Sequence, residues 1–189
     1  MSSADSKHAP HGLDLVIDFV NTLDVEDAAD SIAHPDELGA WLAERGLLVG
    51  RGAISPREHG AAVRLREALR ELTLANNERD CDVGAAWSEL ERTARDGELA
   101  VHFTGAGAVS VAPGASGVAG ALSKLLVPVA AGLADGSWTR VKACRAATCQ
   151  WAFYDRSRNR SGVWCDMAVC GNRTKVRAYR SRGTAKSPG

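Results

Sequence analysis

An α+β fold is predicted for this chain: a mostly helical N-terminal domain with a small β-hairpin, then a small C-terminal four-cysteine module ending in a basic helix. Three observations predict it. Apolar residues recur at helical spacing between Leu13 and Leu133 with start and stop signals, and two short alternating runs flank a turn at Thr104–Gly107. Four of the five cysteines fall in two close pairs beyond residue 138. The expected domains are 1–137 and 138–189. Residues 1–11 and 183–189, rich in Ser, Ala, Pro, Gly and Lys without apolar periodicity, read as disordered ends.

Leu13, Val16, Ile17, Val20 and Leu23 recur as one helical face, although Val and Ile also suit a buried strand. Pro35-Asp36-Glu37 opens a second helix with Leu38, Trp41 and Leu42 inward and Gly46 at its end. Ser55-Pro56-Arg57-Glu58 combines a capping hydroxyl, Pro at the first helical position and a Glu able to reach back to the cap amide. It starts a long helix to about Ala75, with Ala62, Leu65, Leu69 and Leu72 inward. Arg64, Arg66, Glu67, Arg70 and Glu71 supply charge that is mostly solvated and partly paired. A fourth helix spans Val83 to Arg95 with Trp87 and Leu90 inward. Ala100–Phe103 and Ala108–Val111 make the hairpin, and Ala115 to Leu133 forms one buried core helix, with Ser123 and Lys124 too polar for a membrane span.

The formal net charge of zero hides a split. Residues 1–137 hold 11 Lys+Arg against 21 Asp+Glu, leaving −10, whereas residues 138–189 hold 12 against only Asp155 and Asp166, leaving +10. Such asymmetry points to a nucleic-acid or acidic-membrane partner for the basic part. The opening residues carry no apolar run resembling a secretory signal, so a cytoplasmic protein without membrane contact is expected.

Cys144-x4-Cys149, fifteen residues, then Cys165-x4-Cys170 has the spacing of metal ligands. Two short knuckles across a hairpin-length loop deliver four thiolates from two directions. One Zn2+ per chain is the reading, and with no His after His102 the site is all-sulfur and structural. Two disulfides are the rival in an oxidising compartment, and iron also accepts four sulfurs. Zinc with four thiolates carries −2, which brings the holo module to about +8. Cys81, between Asp80 and Asp82, reads as a spectator thiol.

The loop between the pairs carries Arg156, Arg158, Asn159 and Arg160, and the stretch after Cys170 carries Arg173, Lys175, Arg177, Arg180 and Arg182. These are donors of the kind that phosphates and base edges accept, so they are the candidate DNA contacts. Read as a helix, residues 171–182 place Arg173, Arg177 and Arg180 on one face, with Arg173 close enough to the metal to serve it instead. Phe153 and Trp164 are expected to pack around the metal.

Cys170-Gly171-Asn172-Arg173, with Asp155-Arg156-Ser157-Arg158-Asn159 and Trp164-Cys165 before it, resembles the CGNR zinc-finger family. Ile17-Asp18-Phe19-Val20-Asn21-Thr22-Leu23 and Leu65-Arg66-Glu67-Ala68-Leu69-Arg70 resemble the ABATE domain that precedes such fingers. The resemblance implies a bacterial, stress-induced transcription regulator with a DNA-binding finger, and it carries the four ligand positions over one by one.

Catalytic patterns are weak. Gly105-Ala106-Gly107 has Ser110 where a dinucleotide loop needs its third Gly, and no Walker loop, Gly-x-Ser-x-Gly or His-Glu-x-x-His occurs. Asp18, Asn21 and Thr22 form a polar patch in an apolar segment and are weak candidates for a small-molecule effector. The expected function is therefore a DNA-binding regulator, not an enzyme, whose first domain senses an effector or forms a homodimer. A zinc-stabilised adaptor for protein or RNA is the alternative. An enzyme using the first domain is a weaker one.

Overall fold

The computed structural model describes residues 8–50, 52–78, 82–103, 105 and 107–176. Cys81, Arg177, Arg180 and Arg182, and the ends 1–7 and 177–189, lie outside the described residues. After a 3-10 turn at Pro10–Gly12, α1 (Leu13–Val20) leads into a two-residue hairpin, β1 (Leu23–Asp24) and β2 (Ala29–Asp30), which the sequence did not suggest. Then follow α2 (Pro35–Glu44), α3 (Pro56–Ala75), α4 (Gly84–Asp96), the antiparallel hairpin β3 (Leu99–Phe103) and β4 (Val109–Pro113), α5 (Gly117–Lys124) and α6 (Leu126–Asp135). The C-terminal part has a third antiparallel hairpin, β5 (Val141–Ala143) and β6 (Ala152–Tyr154), and a π-helical turn, Met167–Gly171, that continues as helix to 176. The α+β class, mostly helical first and four-cysteine last, is as the sequence predicts.

Helix α3 forms as its opening dictates. Ser55 and Glu58 exchange the reciprocal cap, and Ala62, Leu65, Leu69 and Leu72 are buried. Its arginines depart from expectation. Arg66 and Arg70 are 3% and 4% exposed rather than solvated. Arg66 pairs with Asp30 at 2.7 Å and Glu67 at 2.8 Å, while Arg70 donates to the carbonyls of Val20 and Leu23. Burial is tolerated because Asp30 and Glu67 offset the charge of Arg66, while Glu67 and three backbone carbonyls take up the donors of Arg70.

Two further expectations are corrected. Trp87 is 36% exposed, because α4 buries Ala86, Glu89, Leu90 and Thr93, a face about 100° away around the helix. The single helix expected from Ala115 to Leu133 is two, broken at Leu125. Pro128 has no amide to bond the Lys124 carbonyl four residues back, and its ring crowds that carbonyl. The stretch Gly117–Asp135 is also long and apolar enough to cross a membrane by length and composition, contrary to expectation. In the fold it packs Val118, Leu122, Leu125 and Val129 into the core, and the Lys124 ammonium donates to the Leu47 carbonyl at 2.9 Å.

One apolar cluster joins the helices to the C-terminal hairpin. Trp138, Val141 and Ala152 lie in it with Leu13, Phe19, Leu65 and Leu69. Hydrogen bonds fix the join. Asn21 clamps β6 through both backbone groups of Ala152, donating at 2.9 Å and accepting at 2.7 Å. Asn76, at the end of α3, donates to the Trp138 and Val141 carbonyls, and Asn77 donates to those of Ala143 and Val163. A second, smaller cluster is built from Cys144, Cys149 and Cys170 with Trp164 and Cys165.

Candidate metal centre

Each cysteine pair sits in a turn that its neighbours close. In the first, the Cys149 amide bonds the Ala146 carbonyl at 2.9 Å, Gln150 turns into left-handed backbone at φ 53°, and the Cys144 amide bonds the Trp151 carbonyl at 2.9 Å. In the second, Asp166 caps the π-helical turn by accepting from the amides of Ala168 and Val169, while the Cys170 amide returns to the Asp166 carbonyl. The four sulfurs converge. All lie within 4.8 Å of one another, with Cys149–Cys165 at 3.6 Å and Cys165–Cys170 at 3.7 Å.

These separations test the metal. Four thiolates at Zn–S of about 2.3 Å span a tetrahedron with edges of about 3.8 Å. A disulfide needs about 2.05 Å, and all four thiols are free. The donor set therefore fits a tetrahedral ion and not two bridges. The thiols also need a cation to become ligands: burial pushes Cys149 up to about 11 against donation from the Trp151 amide, and pushes Cys165 up with help from the neighbouring sulfurs. Cys170 differs. Burial works against its thiolate, but the Arg173 guanidinium donates to its Sγ at 3.4 Å and holds it below the usual thiol range.

The residues that follow each have a task at this centre. A Cβ on Gly171 would meet the Met167 sulfur at 2.4 Å and the Trp164 ring at 3.2 Å, so a larger residue would require the Met167 side chain to move and the tryptophan to give way slightly. Asn172 Nδ2 donates to the Ala168 carbonyl, and Thr174 Oγ1 to that of Cys170. Arg173 pairs with Glu26 as well as donating to Cys170, and so ties the sulfur site to the β1–β2 turn. Trp164 packs against the sulfurs as expected, whereas Phe153 lies half-buried on β6 outside that cluster.

The basic loop owes its shape to one buried ion pair. Lys142 Nζ meets Asp155 Oδ2 at 2.8 Å and also donates to the carbonyls of Arg160 and Gly162. Asp155 accepts the amides of Ser157 and Gly162 as well. Burial opposes its charge, but Lys142 and these amides outweigh burial and hold its carboxyl at about 2. A Cβ on Gly162 would lie 2.7 Å from Asp155 Oδ1, so the loop closes only on glycine. Arg156, Arg158, Asn159 and Arg160 are exposed along it, with the Arg156 guanidinium 5.5 Å from the Tyr154 ring centre. Lys175 is exposed on the C-terminal helix.

Sequence reasoning gave Lys142 and Asp155 no role. A signal was present, because Asp155 and Asp166 are the only acids after residue 138, and both organise a turn. The polar patch of the first segment divides. Asp18 is exposed, Asn21 holds β6, and the buried Thr22 hydroxyl donates to the Phe19 carbonyl while accepting from Arg66. All three border a shallow depression with Trp41, Arg45 and Trp151.

Comparison with known families gives two matches in chain order. Residues 13–136 match the ABATE model, described as "putative stress-induced transcription regulator", and residues 140–183 match the CGNR zinc finger. No curated protein matches the chain.

Proposed function

The chain belongs to the ABATE family with a CGNR zinc finger at its C-terminal end, and on that premise we propose that it is a DNA-binding transcription regulator whose finger holds one structural zinc ion. Residues 1–137 are the regulatory part and 138–189 the DNA-contacting part, acting in the cytoplasm and without catalysis. Cys144, Cys149, Cys165 and Cys170 would hold the ion, and four thiolates leave it no open position for a substrate.

The observation that supports DNA contact is the pinned loop. It offers Arg156, Arg158, Asn159 and Arg160 to solvent on a backbone fixed by a buried ion pair, so ordering them costs little on binding. Lys175, Arg177, Arg180 and Arg182 continue the run of basic residues in the sequence, while Arg173 donates to Cys170 and pairs with Glu26. With roughly six phosphates neutralised, log affinity for duplex DNA should fall against log salt with a slope of about −5. Charge reversal at Arg158, Arg177 and Arg180 together should abolish that binding. Unchanged duplex binding would transfer the finger to the adaptor role, as a zinc-stabilised platform for protein or RNA.

We also read the regulator as a homodimer. Val101, Phe103 and Val109 share one exposed face of the β3–β4 hairpin, and no Asp, Glu, Lys or Arg occurs from 99 to 123, so two copies can meet there without like-charge repulsion. Sedimentation of the holo protein should show a dimer that Phe103→Glu dissociates. A strict monomer at high concentration removes this part of the reading.

A further inference from the structure

Helices α3, α4 and α5 leave a cleft of about 500 Å3 between them, well away from the sulfur site. Ala61, Val118, Ala119 and Leu122 give it an apolar floor, and Arg57, Arg64 and Arg92 gather around it. These are three of the nine arginines in a segment whose net charge is −10.

Glu58, Glu89 and Asp96 also line the cleft and balance the three guanidiniums in formal charge, but they leave most of the N–H donors without a partner among the described residues. Glu58 accepts both the amide and the hydroxyl of Ser55, at 2.8 and 2.6 Å. Glu89, with a side chain only 10% exposed, lies 3.5 Å from Arg64 Nε and 2.8 Å from Arg92 Nη1, so it holds both guanidiniums at the cleft. Asp96 is exposed. Each guanidinium carries five N–H donors, and these contacts occupy one on Arg64 and one on Arg92. The Arg57 side chain makes no hydrogen bond or ion pair among the described residues. The cleft therefore offers a surplus of planar donors above an apolar floor, in a volume that suits a small molecule.

We propose that this cleft binds a small organic carboxylate with an apolar body, its oxygens on Arg57, Arg64 and Arg92 and its body on Val118, Ala119 and Leu122. The acidic surroundings penalise a polyanion more than a single carboxylate. The site deepens, and rests on, the reading of residues 1–137 as regulatory. Helix α3 carries both ends of that role: Arg57 and Arg64 face the cleft, and Asn76 and Asn77 at its other end hold the zinc module.

Calorimetric titration of the zinc-loaded full chain with sodium benzoate and sodium hexanoate tests this, with benzamide as the neutral isostere and sodium chloride at matched ionic strength. Saturable carboxylate binding is expected, at least tenfold tighter than benzamide. Arg57→Gln should weaken it at least fivefold without changing the melting temperature of the unliganded protein, and Arg57→Lys should restore part of it. Ala119→Leu should fill the floor and abolish it. Equal binding of benzoate and benzamide, binding indifferent to both Arg57→Gln and Ala119→Leu, or no saturable binding of either carboxylate overturns the proposal. The titration contains no DNA: carboxylate binding without duplex binding would keep the cleft and remove the regulator, and the reverse would remove only the cleft.

Discussion

Reduced, freshly purified protein is expected to carry one zinc per chain, and Cys165→Ser to lose it together with the folded state of both cysteine turns. The binding free energy of structural zinc in finger modules is about 10–16 kcal/mol at neutral pH, and in such a module it is also folding free energy. Among the described residues the small sulfur cluster has only Trp164 and Ala146 as apolar partners beyond the cysteines themselves, far too little to close the turns alone. The loss should stop there. Strands β5 and β6 belong to the main core through Val141 and Ala152, and Asn21, Asn76 and Asn77 hold them to the helices. Hydrogen exchange should therefore show the amides of Cys149 and Cys170 deprotected in Cys165→Ser or under chelator, with the α1, α3 and β5–β6 amides still slow. Recovery of metal-free protein with four free thiols and equally protected turns would defeat the zinc assignment.

Asp155→Asn should weaken duplex binding although it removes a negative charge from the loop proposed to contact DNA. A charge argument alone gives the opposite sign. The substitution leaves the buried Lys142 ammonium without its counter-ion, which costs about 3–5 kcal/mol for a pair of this kind. It also loosens the carboxylate's hold on the Ser157 and Gly162 amides, so the exposed arginines lose their common frame. Expected readouts are a large drop in unfolding midpoint and at least a tenfold loss of affinity. Adding Lys142→Met to the variant should recover part of the stability, because the unpaired charge is then gone. Unchanged stability with equal or tighter DNA binding would show that the ion pair does not support the loop.

Features set by local chemistry were legible in the amino-acid order. Ser55-Pro56-Arg57-Glu58 fixes a helix start because cap, first-turn Pro and reciprocal Glu act within four residues. The inward rows Leu38–Trp41–Leu42 and Leu65–Leu69–Leu72 follow from the helical period, and alternation about a turn gives the β3–β4 hairpin. The cysteine spacing already pointed to the metal site, with disulfides as the rival, and the four converging free thiols fit one ion.

Other features were decided only by tertiary structure. Arg66 and Arg70 have the spacing of solvated helix charges, yet they are buried because Asp30 and the carbonyls of Val20 and Leu23 arrive from elsewhere in the chain. Asn21 and Thr22 suggested a ligand patch, but Ala152 and Arg66 occupy them. The partner of Lys142 is 13 residues away, and that of Arg173 is 147 away. A buried polar group is stable only when its partners are in place, and those partners are set by how elements pack rather than by neighbours in sequence. Period and capping are properties of a segment, and so they were legible; satisfaction of buried charge is a property of the whole fold, and so it was not.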